Sequence, residues 1–102
     1  MSEYAFTARG DGAFEITGLL TFATVPELLQ QSRAWLADDH REVAIDLGGV
    51  TRADSAGLAL MIEWLRLARS RNRRLRFIHI PEQLQNLIRV SGLDGVFDAA
   101  PA

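Results

Sequence analysis

Cysteine is absent from this chain, which removes disulfides, thiolate nucleophiles and cysteine-based zinc sites together and is compatible with a reducing compartment. Lysine is absent as well, so no G-x-x-x-x-G-K-[ST] loop is present to cradle a nucleotide phosphate. The only two histidines, His40 and His79, lie far apart and lack the HExxH or i, i+4 spacing that gathers metal ligands. The longest run of apolar residues and glycine, Ala56 to Ile62, falls far short of the roughly 18 residues a membrane span requires. The amino-terminal run MSEYAFTARG has neither a basic n-region nor an apolar h-region, so no secretory signal is expected. A net charge of −2 gives no general attraction to nucleic acid or anionic lipid. The expected setting is the cytoplasm, with no nucleic-acid partner, no direct membrane insertion, and any membrane association made through another protein. Catalytic patterns are missing too. Ser55 has no G-x-S-x-G context, and Asp46 and Asp54 read as a strand end and a helix cap rather than as a carboxylate pair. No enzyme activity, metal or cofactor is expected.

What is there is enough for one compact domain spanning residues 1–102, with 48% apolar residues to build its core. The stretch from Val43 to Ile62 changes character halfway. Val43, Ala44, Ile45 and Leu47 form a short apolar run ending in Gly48-Gly49, which predicts a strand buried on both faces and then a tight turn. From Asp54 onward the spacing is helical. Asp54-Ser55-Ala56-Gly57 therefore marks the place where a strand's carboxyl end passes to a helix's amino end, where ligands and partners dock on open α/β sheets.

The chain opens with an expected hairpin. Tyr4, Phe6 and Ala8 alternate with other residues, as do Phe14 and Ile16, and Gly10-Asp11-Gly12 supplies the turn. A short third strand is expected over Leu19 to Phe22. Thr24, Pro26 and Glu27 then predict a helix opened by a capping box and ending near Asp38-Asp39, with Val25, Leu28, Leu29 and Leu36 on one face. A second helix is predicted from about Ser55 to Ser70, packed on the sheet through Leu58, Met61, Ile62, Leu65 and Ala68. A further apolar group, Leu60, Trp64 and Leu67, is surplus to one helix-on-sheet contact. Either another helix covers it or a partner does. Six of the eleven basic residues, Arg66, Arg69, Arg71, Arg73, Arg74 and Arg76, crowd the exit of this helix, where complementing its dipole while staying solvated is the favoured account and an acidic partner surface the sharper alternative. Leu75, Phe77, Ile78 and Ile80 read as a strand containing His79. Pro81 starts a third helix with Leu84, Leu87 and Ile88 inward, Gly92 ends it, and Leu93, Val96 and Phe97 fold back on the core. The order β-β-(β)-α-β-α-β-α predicts an α/β fold: a mixed sheet of four to five strands with helices mainly on one face.

The run IDLGGVTRADSAGLALM, followed by a helix, an Arg-rich loop, the strand LRFIHI and the closing LIRVSGLDGVF, resembles a STAS domain over roughly residues 13–97. That family includes anti-sigma-factor antagonists, sulfate transporter tails and the small cytoplasmic subunit of the Mla phospholipid ABC transporter. Gly48 departs from the serine common at its position. The resemblance implies a non-catalytic binding protein and gives Ser55 two meanings. In antagonists the matching serine is phosphorylated by a partner anti-sigma kinase. In the transporter subunit, the reading preferred on sequence, the same segment docks on the ATPase subunit, and through it the permease, in support of outer-membrane lipid asymmetry. Three features favour the transporter: Arg52 in V-T-R-A-D-S-A-G-L-A-L, a length close to the bare domain, and the surplus apolar face. The implied partner surface has Ser55, Ala56 and Gly57 at its centre and Asp54 as the helix cap, with Arg52, Leu60 and Trp64 as flanking contacts.

Overall fold

The computed structural model describes residues 3–34 and 40–98. Strands β1 (Tyr4–Gly10) and β2 (Ala13–Leu20) form the expected antiparallel hairpin, with Phe6 opposite Ile16 and Ala8 opposite Phe14. Asp11 at its tip takes φ 53°, flanked by two glycines that also lie at positive φ and that accept this region without a Cβ penalty. Strand β3 (Glu42–Ala53) runs parallel to β2, and β4 (Arg74–Ile78) runs parallel to β3, so the sheet order is β1-β2-β3-β4. Helices α1 (Val25–Ser32), α2 (Ser55–Ser70), α3 (Glu82–Val90) and the short α4 (Asp94–Asp98) complete the described chain. This is the mixed sheet that the element order predicts.

The expected third strand does not exist as a separate element. Leu19 and Leu20 continue β2, while Thr21 to Ala23 turn toward α1. Nor do Gly48 and Gly49 make a turn. Both stay inside a twelve-residue strand, and the register steps from Glu15 opposite Asp46 to Thr17 opposite Gly49, three β3 positions against two in β2. Glycine within a strand marks such a bulge or a close approach, and a Cβ on Gly49 would sit 2.6 Å from the Thr17 methyl. The strand-to-helix handover therefore comes at Ala53–Asp54. Burial along β3 alternates: Val43, Ile45 and Leu47 point into the core, while Ala44 and Asp46 are half-exposed. The helices cover only one face, so burial on both faces is not realised.

Helix α1 starts at Val25, but Thr24 does not cap it. Its hydroxyl is turned inward to donate to the carbonyls of Leu19 and Thr21, so the capping box does not form and the hydroxyl instead fastens the β2–α1 turn. Leu28 and Ser32 are buried on this helix, which ends at Ser32 with Arg33 as its C-cap, short of the expected end at Asp38-Asp39; those two residues and Leu36 lie outside the described residues. Helix α2 spans the predicted Ser55 to Ser70, and Asp54 caps it. Its surplus face is covered from within. Leu60 is 2% exposed and Trp64 fully buried, with the Trp64 indole stacked between Phe6 and Phe77 at centroid distances of 6.3 Å. The indole Nε1–H donates to the Ser32 hydroxyl at 2.7 Å, which satisfies the one polar atom of a ring that otherwise belongs in a core. Ile62, placed by its spacing against the sheet, is instead 38% exposed, because α2 is rotated to turn Trp64 inward.

Strand β4 stops at Ile78. His79 lies beyond it at φ 56°, exposed, with Nδ1 3.0 Å from the Asp46 carboxylate. That carboxylate also accepts from the Gly48 N–H, and these contacts hold its pKa below the ordinary aspartate value, the Gly48 bond contributing most. Leu84 and Ile88 are the buried residues of α3; Leu93, Val96 and Phe97 pack partly buried against the core, with Phe97 against Phe77.

Candidate functional site

The site implied by the sequence is the junction of β3 and α2, and Asp54 organises it. Asp54 is extended, as a helix N-cap residue should be, and its two carboxylate oxygens have separate partners. Oδ1 accepts from the Ala56 N–H at 2.9 Å and so satisfies one of the helix's unpaired donors. Oδ2 accepts from the Phe22 N–H at 3.2 Å, which ties the β2–α1 turn to the start of α2. The Asp54 carbonyl accepts from Gly57 N–H, and its own N–H donates to Leu20. A third segment joins from the other side, where Gln83 of α3 accepts from the Ala53 N–H at 2.9 Å. One cap residue and its neighbour thus hold together three stretches of chain that are distant in sequence.

Ser55 is exposed as the first residue of α2, at the positive end of the helix dipole. Ala56 is half-buried beside it and Arg52 is exposed at the end of β3. Gly57 is a different case. It is buried, and a Cβ there would lie 2.7 Å from the Leu20 carbonyl oxygen, so the glycine lets the helix's first turn press onto the end of β2. Its place is inside the protein. Leu60 and Trp64 are likewise part of the core, and their assignment as flanking contacts is corrected: the face they form is closed by β1, β4 and the buried Ser32 of α1. The structure therefore brings Arg52, Asp54, Ser55 and Ala56 to one accessible edge and takes Gly57, Leu60 and Trp64 away from it.

Sequence reasoning missed what flanks Ser55. Among the described residues three large apolar side chains are exposed, and two of them border this junction. Phe22, 71% exposed, is held by its N–H bond to Asp54. Val90, 85% exposed, stands across a cleft of about 480 Å³ that also includes Ser55, Asn86 and Leu87. Val90 was legible as the apolar residue off the inner face of α3; Phe22 was hidden because its neighbours suggested a strand. The junction offers a hydroxyl at a helix amino end, framed by apolar surface. Each Asp54 oxygen accepts from a peptide N–H, which gives this carboxylate a capping and tying role. Among the described residues no group of three or more histidine, aspartate or glutamate side chains is gathered as a metal site, and no helix is long and apolar enough to cross a membrane.

A family described as "Mlab, STAS domain" matches residues 6–98. The anti-sigma-B factor antagonist of Staphylococcus aureus is 27% identical over 89 residues, covering 85% of this chain and 82% of its own. Among solved structures, an anti-sigma factor antagonist from Mycobacterium paratuberculosis superposes with a TM-score of 0.77 at 23% identity, covering 92% of this chain and 82% of that one. The anti-sigma factor antagonist SpoIIAA in its unphosphorylated form gives a TM-score of 0.72 at 16% identity, over 92% and 84% of the two chains.

Proposed function

The chain belongs to the STAS domain family, and from that premise we propose that it is a non-catalytic regulator that binds a partner protein over the amino end of α2, in the manner of an anti-sigma factor antagonist. Ser55 is its contact centre and the acceptor of a regulatory phosphate. The observation that carries this reading is the exposed hydroxyl of Ser55 at a capped helix terminus, framed by Phe22 and Val90. The names of the relatives support an anti-sigma factor as the class of partner, and the STAS resemblance adds that such a partner is a kinase.

The physics of the switch is local. A phosphate on Ser55 brings about −1.5 to −2 charges to the positive end of α2, a position a helix tolerates. A partner packed over Phe22, Ala56 and Val90 meets a new charge and added volume at the centre of an apolar contact. The phosphate also arrives beside the Asp54 carboxylate, and repulsion between the two weakens the bond that holds the Phe22 turn. The fold persists while the docking surface changes. Incubation with ATP and the candidate kinase, followed by intact-mass measurement, tests this: one phosphate per chain, lost in Ser55→Ala, is the expected result, and an unmodified chain counts against it.

A second reading keeps the same surface and changes the partner. The Mlab description of the matching family supports docking on the ATPase subunit of an inner-membrane phospholipid ABC transporter, with Ser55 as a permanent contact. Arg52 remains in its favour, whereas the surplus apolar face does not, because Leu60 and Trp64 are internal. In this reading Ser55→Arg leaves the fold intact and abolishes co-purification with the ATPase, while retained co-purification rejects it.

A further inference from the structure

The opposite end of the molecule carries a second surface. Strand β4 is an edge of the sheet, and among the described residues no strand pairs with its outer side. The Arg74 N–H donates to the Arg41 carbonyl at 2.7 Å, so Arg74 faces β3. By the alternation of a parallel ladder, the peptide groups of Leu75 and Phe77 face the open edge. Arg74 and Arg76 project from the sheet face that the helices leave bare, on the side opposite buried Leu75. In register Arg74 lies opposite Glu42 and Arg76 opposite Ala44, yet neither makes an ion pair among the described residues.

We propose that this edge accepts an extended acidic segment of a partner protein as an added strand. Two residues along a strand span roughly 6.6 Å, so carboxylates at i and i+2 of such a segment match the spacing of Arg74 and Arg76. The guanidinium groups bind carboxylates in bidentate fashion. The charges also select against other occupants. A second copy of this chain would set arginine against arginine across the new ladder, which is unfavourable. An extended polyanion would cover more than the patch: all thirteen acidic residues lie outside residues 66–76, with only five arginines among them. A short acidic strand meets the basic edge alone. This surface is separate from the Ser55 junction and does not depend on how that junction is used.

The test uses the full chain and a fluorescein-labelled peptide of alternating glutamate and threonine, read by fluorescence anisotropy and amide hydrogen exchange. The peptide binds in low salt and slows exchange at the Leu75 and Phe77 amides. Arg74→Glu with Arg76→Glu weakens it at least about tenfold, as opposite charges become like charges across the ladder. The Arg→Lys pair, which keeps the charge and loses the bidentate fork, weakens it less. With the segment antiparallel to β4, the threonine amides are those that face the edge. A peptide of equal charge with proline in place of threonine therefore loses these ladder donors and binds at least about tenfold more weakly. Ser55→Ala changes none of these values. The proposal is overturned if charge reversal leaves affinity unchanged in a chain with native circular dichroism, if the proline peptide binds equally well, or if the edge amides stay unprotected. It is also overturned if an oligonucleotide or phosphatidylglycerol vesicles bind more tightly than the peptide with the same arginine dependence.

Discussion

The first turn of α2 and the two turns that follow it belong to one helix and meet opposite surroundings. Ser55 and Ala56 open the helix at an accessible edge, while Leu60 and Trp64, only one to two turns further on, are sealed in the core. The first turn is held from below, by the Asp54 cap and by Gly57 pressed onto Leu20, so its outer side is left for contact. The third turn is held from every side, by Phe6, Phe77 and the Ser32 hydroxyl. A stripe of apolar residues on a helix thus reports that something covers it and says nothing about whether the cover belongs to the same chain.

The comparison breaks most visibly at Trp64. Trp64→Ala should cost about 3–5 kcal/mol in urea unfolding, through lost burial and the cavity left between β1 and β4. At the first turn, Gly57→Ala tests whether the helix is as tightly seated as its contacts indicate. Glycine to alanine inside a helix normally stabilises, but here the added Cβ meets a backbone oxygen, and a loss toward the upper end of about 1–3 kcal/mol is expected in chemical denaturation. A gain in stability would show that the turn has room to move.

Asp54→Ala separates capping from docking. Loss of the cap should cost about 1 kcal/mol and also release the Phe22 turn, seen as faster amide exchange at Phe22 and Ala56. The second tie of α1, the helix that closes the third turn, has a pH signature. Burial first, and then the hydrogen bond to Glu27, push the Tyr4 phenol up to about 12. The folded state therefore prefers the neutral phenol. Its contribution is complete below the unfolded value near 10 and is lost as pH rises from there to 12. Tyr4→Phe should remove an alkaline stability loss of about 1 kcal/mol, reduced from the full shift because the hydroxyl is only part-buried. The smallest effect closes the comparison: Ser55→Ala should change stability by less than about 0.5 kcal/mol, since the side chain is exposed and Asp54 makes the cap. A larger loss would make Ser55 a structural residue after all.

Much of the fold was legible because local signals agreed with the final structure. Alternation in β1 and β2, helical spacing from Ser55 to Ser70 and proline ahead of α3 each describe a segment whose tertiary surroundings reinforce its own preference. Legibility failed where one residue type has two uses. Gly48-Gly49 reads as a turn in isolation and is a bulge beside Thr17; Thr24 reads as a cap and serves as a clasp for the preceding turn. Phe22 and Gln83 escaped notice because their roles exist only when residues about thirty positions away arrive beside them.

The opening hairpin, the α2 boundaries and the cap at Asp54 followed from the order of residues alone, since hydrogen bonding and side-chain periodicity act over a few neighbours. Which apolar face lies inside was decided by packing. Burial of Leu60 and of the Trp64 indole between Phe6 and Phe77 sets the rotation that leaves Ser55 at the edge, and the long-range bond from the indole to Ser32 satisfies the one polar atom this burial would strand. No window of sequence contains both partners of that bond. Only the assembled sheet and helices could make Ser55, Phe22 and Val90 one surface and Trp64 part of the core.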